Sequence, residues 1–260
     1  MDELDSFLVA HPELTGAGKT GAGARPQKYR CQKCRDTGWL IAYDGKYETM
    51  RRCGCYAVRQ AEERMERSGI SKEFRRKTFD GFETMGNPIL IRAKNKAMGY
   101  VGHFREKEHS RRNSIMFCGQ PGSGKTHLGM AICGRLLKMG VPVIYMAYRN
   151  AMTGIKQNML DGEAYRREVG MYKNAGALYI DDLFKGRLTE TDVNVMYEIV
   201  NYRYMNCLPL IISTEKDLNG LLMFDEATGS RIIEMCRGNI TTFKGKEMNY
   251  RMREGDGTDG

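Results

Sequence analysis

An apolar run, Ser114-Ile-Met-Phe-Cys118, leads directly into Gly119-Gln120-Pro121-Gly122-Ser123-Gly124-Lys125-Thr126, and a helical pattern with Leu128, Ala131, Ile132, Leu136 and Leu137 follows. This GxxxxGKT spacing between a strand and a helix constrains the fold more than any other feature of the chain. Glycines let backbone N–H groups turn inward around a phosphate where a Cβ would clash. A helix starting at Lys125 aims its partial positive end at the same anion. Lys125 is placed to reach the β- and γ-phosphates of a nucleoside triphosphate, and the Thr126 hydroxyl to ligate Mg²⁺. A similar-looking stretch, Gly16-Ala-Gly18-Lys19-Thr20, fails the same test. Glu13 stands where the first glycine belongs, no strand precedes, and Arg25-Pro26 follows.

Downstream, the apolar runs Ser114–Cys118, Val143–Ala147, Ala177–Ile180 and Leu208–Ser213 alternate with helical patterns near 125–139, 149–173 (broken at Asp161-Gly162) and 190–206. Such alternation predicts an α/β domain with a central parallel sheet and helices on both faces. The 190–206 helix places Val193, Met196, Tyr197, Val200 and Tyr204 on one face, a predicted core stripe. Another helical stretch follows Asn87-Pro88 to about Lys107, with Ile91, Met98, Val101 and Phe104 as its apolar positions.

The run Ala177–Ile180 ends in Asp181-Asp182. A carboxylate at the C-terminal edge of a parallel strand faces the ligand crevice. Asp181 is expected to hold Mg²⁺ through water, and Asp182 to orient and activate the attacking water; an acidic turn is the plainer alternative. The next run ends in Ser213-Thr214-Glu215, which are either γ-phosphate sensors or the cap of a following helix. Arg231 opens a further helix in Thr228-Gly-Ser230-Arg231. It is either a solvated surface residue or, in a ring or spiral, a group that reaches a neighbour's γ-phosphate.

Together these elements resemble the AAA+ ATPases, and within them the bacterial and phage helicase loaders of the DnaC/DnaI type, a clade that also holds the transposition helper IstB. The likeness is carried by Cys118-Gly-Gln-Pro-Gly-Ser-Gly-Lys-Thr-His127, Tyr179-Ile-Asp-Asp-Leu183, Leu210-Ile-Ile-Ser-Thr-Glu-Lys-Asp-Leu218 and Gly229-Ser-Arg-Ile-Ile233. Phe243-Lys-Gly and Asn249-Tyr-Arg251 add to it, and it spans about residues 85–252. The resemblance implies an AAA+ P-loop fold that hydrolyses ATP. Gly119 through His127, with Asp181, would hold the nucleotide; Lys125, Asp182, Thr214 and Arg231 would act in catalysis, Arg231 as an arginine finger. A second sensing arginine would be Arg237 or Arg251. Region 149–173, with Arg149, Lys156, Arg166 and Arg167, matches an extra helical element that touches single-stranded DNA in such loaders; an exposed charged helix is the alternative. One departure stands out: Glu215 takes the place of an Asn common in relatives, which leaves the sensor open among Ser213, Thr214 and Glu215.

Upstream, Cys31-x₂-Cys34 is followed after 18 residues by Cys53-x-Cys55. Four thiolates in two close pairs suit tetrahedral Zn²⁺, and a module of about 30 residues has too little core to fold without such a staple. Unliganded or redox thiols are the alternative, and Cys-x-Cys replaces the commoner Cys-x₂-Cys. The module also resembles that of DnaI-like members. Lys28, Arg30, Lys33, Arg35, Arg51, Arg52 and Arg59 are interleaved with Tyr29, Trp39, Tyr43, Tyr47 and Tyr56. Charge beside aromatic faces fits single-stranded nucleic acid; it also fits a protein partner, or aromatics filling a small core. Cys118, Cys133, Cys207 and Cys236 are expected to be buried and inert.

The charge balance agrees with a polyanionic partner. The chain of 260 residues carries 41 Lys+Arg and 32 Asp+Glu, and residues 25–78 alone hold 15 against 7. Solubility charge is the plainer reading. No apolar run nears the roughly 18 residues of a membrane span, so an integral membrane protein is excluded. The start Met1-Asp-Glu-Leu-Asp lacks a secretory pattern. The expected compartment is therefore reducing: the cytoplasm of a bacterial cell or phage-infected host.

The expected organisation is a flexible segment (1–28), a four-cysteine zinc-binding module (29–66), a helical linker with the first AAA+ helices (67–113), the ATPase core (114–252) and a disordered tail (253–260). The expected function is ATP-dependent helicase loading in DNA replication. The chain would bind single-stranded DNA and a DnaB-family replicative helicase as an ATP-dependent homo-oligomer, with hydrolysis as the release switch. The alternatives are an IstB-like transposition helper on duplex DNA and a nucleotide-gated DNA-binding adaptor with incidental hydrolysis.

Overall fold

A computed structural model describes residues 29–43, 45–67, 72–245 and 249–250. The expectations for 1–28, for 253–260 and for Arg251 lie outside the described residues. The chain divides into two units, one ending at Cys53 and one beginning at Gly54.

In the first unit, β1 (Trp39–Tyr43) and β2 (Glu48–Arg52) pair antiparallel, with Trp39 opposite Arg52 and Tyr43 opposite Glu48. Ahead of them the chain turns sharply. Arg35 and Asp36 take left-handed φ values of 48° and 70°. The Asp36 carboxylate fixes the turn by accepting the N–H groups of Arg30 and Cys31 at 3.0 and 2.9 Å. Among this unit's described side chains only those of Cys34 and Cys53 are buried.

The second unit opens with α1 (Gly54–Arg67), α2 (Lys72–Arg75), α3 (Pro88–Gly102) and α4 (Phe104–Lys107). Asn87 starts α3 by accepting the N–H groups of Ile89 and Leu90. Five strands follow: β3 (Ile115–Gly119), β4 (Val143–Ala147), β5 (Ala177–Asp181), β6 (Leu210–Thr214) and β7 (Ile240–Phe243). They lie parallel in the order β4-β5-β6-β3-β7. Between them run α5 (Lys125–Lys138), α6 (Tyr148–Gln157), α7 (Gly162–Lys173), α8 (Glu190–Met205), α9 (Leu218–Phe224) and α10 (Glu226–Met235). Asp161 caps α7, which is why the chain breaks at Asp161-Gly162.

Side chains alternate across a strand, so each strand feeds two cores. Met116, Cys118, Ile144, Met146, Leu178, Ile180 and Ile212 meet the helices α6, α7, α8 and α10 on one face. Ile115, Phe117, Val143, Tyr179, Ile211 and Phe243 meet α3 and α5 on the other. Burial on both faces explains why these strands read as unbroken apolar runs.

Two expected stripes are displaced. On α8 the buried positions are Asp192, Val195, Met196, Ile199, Val200 and Arg203, whereas Tyr197 is 40% exposed. The charged ends of the true stripe are held by distant segments: the Arg203 guanidinium Nη atoms donate to the carbonyls of Tyr172, Ala175 and Pro209 at 3.0, 2.9 and 2.6 Å, and Lys156 pairs with Asp192. On α3, Leu90, Ala93, Ala97 and Tyr100 are buried beside Val101, while Ile91 and Met98 are exposed. Ala93 and Ala97 join Leu90 and Tyr100 at the core, and of the four expected positions Val101 and Phe104 are buried. Cys118, Cys133 and Cys236 are buried, but Cys207 is only half-buried, at φ 50° in the turn after α8. Among the described residues no helix is long and apolar enough to cross a membrane.

Candidate functional site

The loop between β3 and α5 is shaped by glycines at φ 106° (Gly119), 72° (Gly122) and 85° (Gly124). A Cβ on Gly119 would fall 2.2 Å from the Phe243 carbonyl oxygen, and one on Gly124 would fall 2.6 Å from the Phe82 ring. Lys125 is buried and donates to the carbonyls of Gly119 and Gln120 at 2.8 and 2.7 Å; Ser123 Oγ also donates to Gln120 at 2.7 Å. Burial pulls the Lys125 pKa down, against the attraction of Glu215 and Asp182.

A cavity of about 330 Å³ opens beside this loop. Pro121 through His127, Asp182 and Glu215 line it, together with Tyr250 of the Asn249-Tyr-Arg251 segment and residues that the sequence did not single out: Lys77, Phe82, Glu83, Leu90 and Lys185. Phe82 packs edge-on against His127, with ring centroids 5.2 Å apart, and His127 Nε2 lies 2.8 Å from the Thr78 carbonyl. Burial lowers the His127 pKa, which favours the neutral ring donating that bond. The signal for this wall was Phe79 and Phe82, two aromatics in a stretch without strand or helix periodicity. The Tyr250 N–H donates to Gly122 at 3.0 Å, so the described end of the chain reaches the same loop.

The two aspartates after β5 occupy different environments. Asp181 is buried and accepts from Thr126 Oγ1 (3.0 Å), Tyr179 OH (2.7 Å), Tyr145 OH (3.0 Å) and Ser213 Oγ. Tyr179 fits there because Gly129 on α5 leaves room: a Cβ would lie 2.3 Å from the ring. The adjacent oxygens of Thr126 and Asp181 are hard donors of the kind Mg²⁺ takes. Asp182 turns the other way at φ 57°, and its N–H donates to Ser213 Oγ at 2.9 Å. Its carboxylate faces the cavity, where Lys185 Nζ joins Asp182 Oδ2 (2.8 Å) to Glu215 Oε1 (3.0 Å). The hydrogen bond to Asp182 raises the Lys185 pKa against burial, and the bond to Glu215 adds to it.

Other sequence candidates lie apart from the cavity wall. Thr214 is buried and donates to the Leu183 carbonyl at 2.8 Å. Arg231 is half-buried; it donates to the Ala227 carbonyl at 2.7 Å and lies over the rings of Tyr197 and Tyr204 at 5.4 and 5.5 Å. Arg237 is exposed. Arg149, Arg166 and Arg167 on α6 and α7 are exposed too, but Lys156 pairs at 2.7 Å with the buried Asp192, a structural bond.

The sulfur atoms of Cys31, Cys34, Cys53 and Cys55 lie within 4.8 Å of one another. The Cys31–Cys53 separation of 3.8 Å is far too long for a disulfide of about 2.05 Å. It agrees with the edge of a tetrahedron built on Zn–S bonds of about 2.3 Å. Donors that favour thiolates surround the sulfurs: the Gly38 N–H reaches Cys34 Sγ at 3.4 Å and the Arg59 guanidinium reaches Cys55 Sγ at 3.1 Å. The donor set fits Zn²⁺.

Comparison with known proteins places this geometry. The family model described as IstB-like ATP binding protein matches residues 102–234. The phage-like element PBSX protein XkdC of Bacillus subtilis (strain 168) is 36% identical over 234 residues, covering 86% of this chain and 87% of that protein. The replicative helicase loader DnaC of Escherichia coli (strain K12) is 25% identical over 174 residues, 66% of this chain and 67% of that protein. A crystal structure of the DnaC helicase loader superposes with a TM-score of 0.53 at 24% identity, covering 67% of this chain and 100% of that one, a likeness of fold. The phosphate loop, the acidic pair and most of the parallel sheet fall inside the matched stretch, and the chain belongs to the IstB-like ATP-binding family, as an AAA+ ATPase of the DnaC type.

Proposed function

We propose that this chain is a replicative helicase loader whose ATPase site works as an assembly and release switch. The observation that carries the ATPase part is the 3.0 Å contact between Thr126 and Asp181, which joins the phosphate loop to the acidic pair at the cavity. Lys125 and the loop N–H groups would hold the β- and γ-phosphates. Thr126 and Asp181 would hold Mg²⁺, which neutralises phosphate charge when bound. Asp182, whose carboxylate lies outside the Asp181 hydrogen bonds and is paired with Lys185, would orient a water on the γ-phosphorus and take its proton as the bond to the β-γ bridging oxygen breaks, leaving ADP and phosphate. Arg231, remote from its own cavity, would act on a neighbouring subunit's nucleotide, so a homo-oligomer is part of the reading.

The loader reading is supported by the likeness to DnaC, named a replicative helicase loader, and by the basic, aromatic cysteine module. That module would dock a DnaB-family helicase, while Arg149, Arg166 and Arg167 would touch single-stranded DNA. The test is capture of such a helicase, with and without ATP, by wild type and by a Cys31→Ser/Cys34→Ser variant. Capture by wild type alone supports the reading, and no capture by either overturns it. A transposition helper is the second reading, favoured by the IstB-like family match. Preference for duplex over single-stranded DNA would select it.

A further inference from the structure

A γ-phosphate sensor has to donate a hydrogen bond, and an ionised carboxylate has no donor. Glu215 therefore cannot do what an asparagine at its position would do. Its neighbours do not substitute for it: the Thr214 hydroxyl donates to the Leu183 carbonyl and the Ser213 hydroxyl to Asp181. No residue ending β6 turns a side-chain donor into the cavity. Asp182 and Glu215, two of the carboxylates at its wall, would moreover repel an incoming triphosphate unless a cation stood between them.

Lys185 is that cation. Its ammonium is within 2.8 Å of Asp182 and 3.0 Å of Glu215, its side chain is 38% exposed, and it lines the cavity with Lys125. Two of three N–H donors serve the carboxylates. We propose that Lys185 is the γ-phosphate sensor of this chain, tethered by Glu215, and that without nucleotide the same ammonium holds the Asp182 carboxylate in an ion pair. The proposal rests on the ATPase reading above. An arriving γ-phosphate carries more negative charge than one carboxylate and draws the ammonium away from Asp182. Glu215 keeps the lysine at the cavity during that exchange, and Asp182 becomes available to orient water. Loss of the γ-phosphate returns Lys185 to Asp182. The departure at 215 and the lysine at 185 are then two halves of one device.

The test compares ATP and ADP affinity by calorimetry, and kcat against KM, in wild type, Lys185→Met, Lys185→Arg and Lys185→Met/Glu215→Asn. Lys185→Met should bind ADP within about 2-fold of wild type, showing an intact fold, while its preference for ATP over ADP falls by about 10-fold. Its kcat should fall by about 10²-fold, in the range for removing a donor aimed at developing charge. Lys185→Arg should keep most of both. The double variant should regain part of the ATP preference, because Glu215→Asn supplies the missing amide donor, a rescue no surface ion pair would give. Unchanged ATP preference in Lys185→Met overturns the proposal, as does a double variant no better than the single one. Wild type that binds no ATP would instead sink the ATPase reading itself.

Discussion

The cysteine unit and the sheet unit are held together by different physics. The hairpin of β1 and β2 buries none of its side chains, and among the unit's described side chains only those of Cys34 and Cys53 are buried. An isolated two-stranded hairpin is at best marginally stable in water. The sheet unit has the opposite character: two cores flank five strands, and each fully buried Leu, Ile or Phe contributes about 1.5–3 kcal/mol. The first unit carries three of the four sulfurs whose donor set fits a metal, those of Cys31, Cys34 and Cys53, and little core, whereas the second rests on area removed from water. The lesson is that the two should fail under different insults, and the chain carries its own reporter: its single tryptophan, Trp39, lies in the hairpin with the Arg52 guanidinium 3.7 Å from its ring.

The largest expected effect comes from removing the metal. Structural zinc binding is worth about 10–16 kcal/mol in small modules, so a chelator, or Cys31→Ser with Cys34→Ser, should unfold the hairpin outright. Trp39 fluorescence should change and amide exchange over Trp39–Arg52 should lose protection, while the main calorimetric transition and ATP affinity stay put. A chelator that leaves Trp39 unchanged, or that lowers the main transition, would break the contrast.

The converse perturbation is Arg203→Ala. It leaves the carbonyls of Tyr172, Ala175 and Pro209 without their donor in a fully buried site. Burial lowers the Arg203 pKa to about 9, which still leaves it cationic at neutral pH. Loss of the side chain should cost the sheet unit about 3 kcal/mol or more, through unsatisfied carbonyls and a cavity. Urea unfolding followed by circular dichroism should show it, with the Trp39 signal in the native range unmoved.

Arg203 also marks where sequence reading stops. The strands were legible because parallel strands buried on both faces are continuous apolar runs, and the phosphate loop because its glycines and lysine are fixed by contact with an anion. The four cysteines were legible through their spacing. The stripe on α8 was not, because its buried face includes Asp192 and Arg203, whose partners come from distant segments. For the same reason the sequence leaves Lys156 open between a DNA-touching element and an exposed charged helix, whereas the structure gives it the bond to Asp192. The cavity wall formed by Phe82, Lys185 and Tyr250 is assembled from three separate stretches, and no local period announces it.

Gly129→Ala sharpens the comparison by tying stability to the site inside one unit. The added Cβ would meet Tyr179 at 2.3 Å, backed by a strand that cannot yield freely. Overpacking of this kind costs about 1–3 kcal/mol. The ring must shift, which loosens its 2.7 Å bond to Asp181. The expected signature is a modest drop in melting temperature together with a raised Mg²⁺ requirement for ATP turnover. A stability loss without any change in Mg²⁺ requirement would show that Tyr179 packs but does not position Asp181.

The smallest effect is one of pH, and it too should appear in only one unit. Burial pushes the Asp192 pKa up, but the bonds from Lys156 and from Thr189 outweigh it and hold the carboxyl below its ordinary value. The unfolded chain therefore binds a proton here more readily than the folded one, so this residue's stabilisation is fully present above the unfolded pKa of about 3.9. It is lost as pH falls through the lower, folded value. Asp192→Asn should remove that contribution, so the acid limb of the sheet unit's unfolding curve should be shallower below about pH 4 than in wild type. Zinc release from the cysteines, driven by thiolate protonation, should darken or shift Trp39 fluorescence at its own pH in both proteins alike. If the substitution moved the Trp39 transition as well, acid would be acting on one cooperative structure, and the separation between metal-held and core-held units would fail.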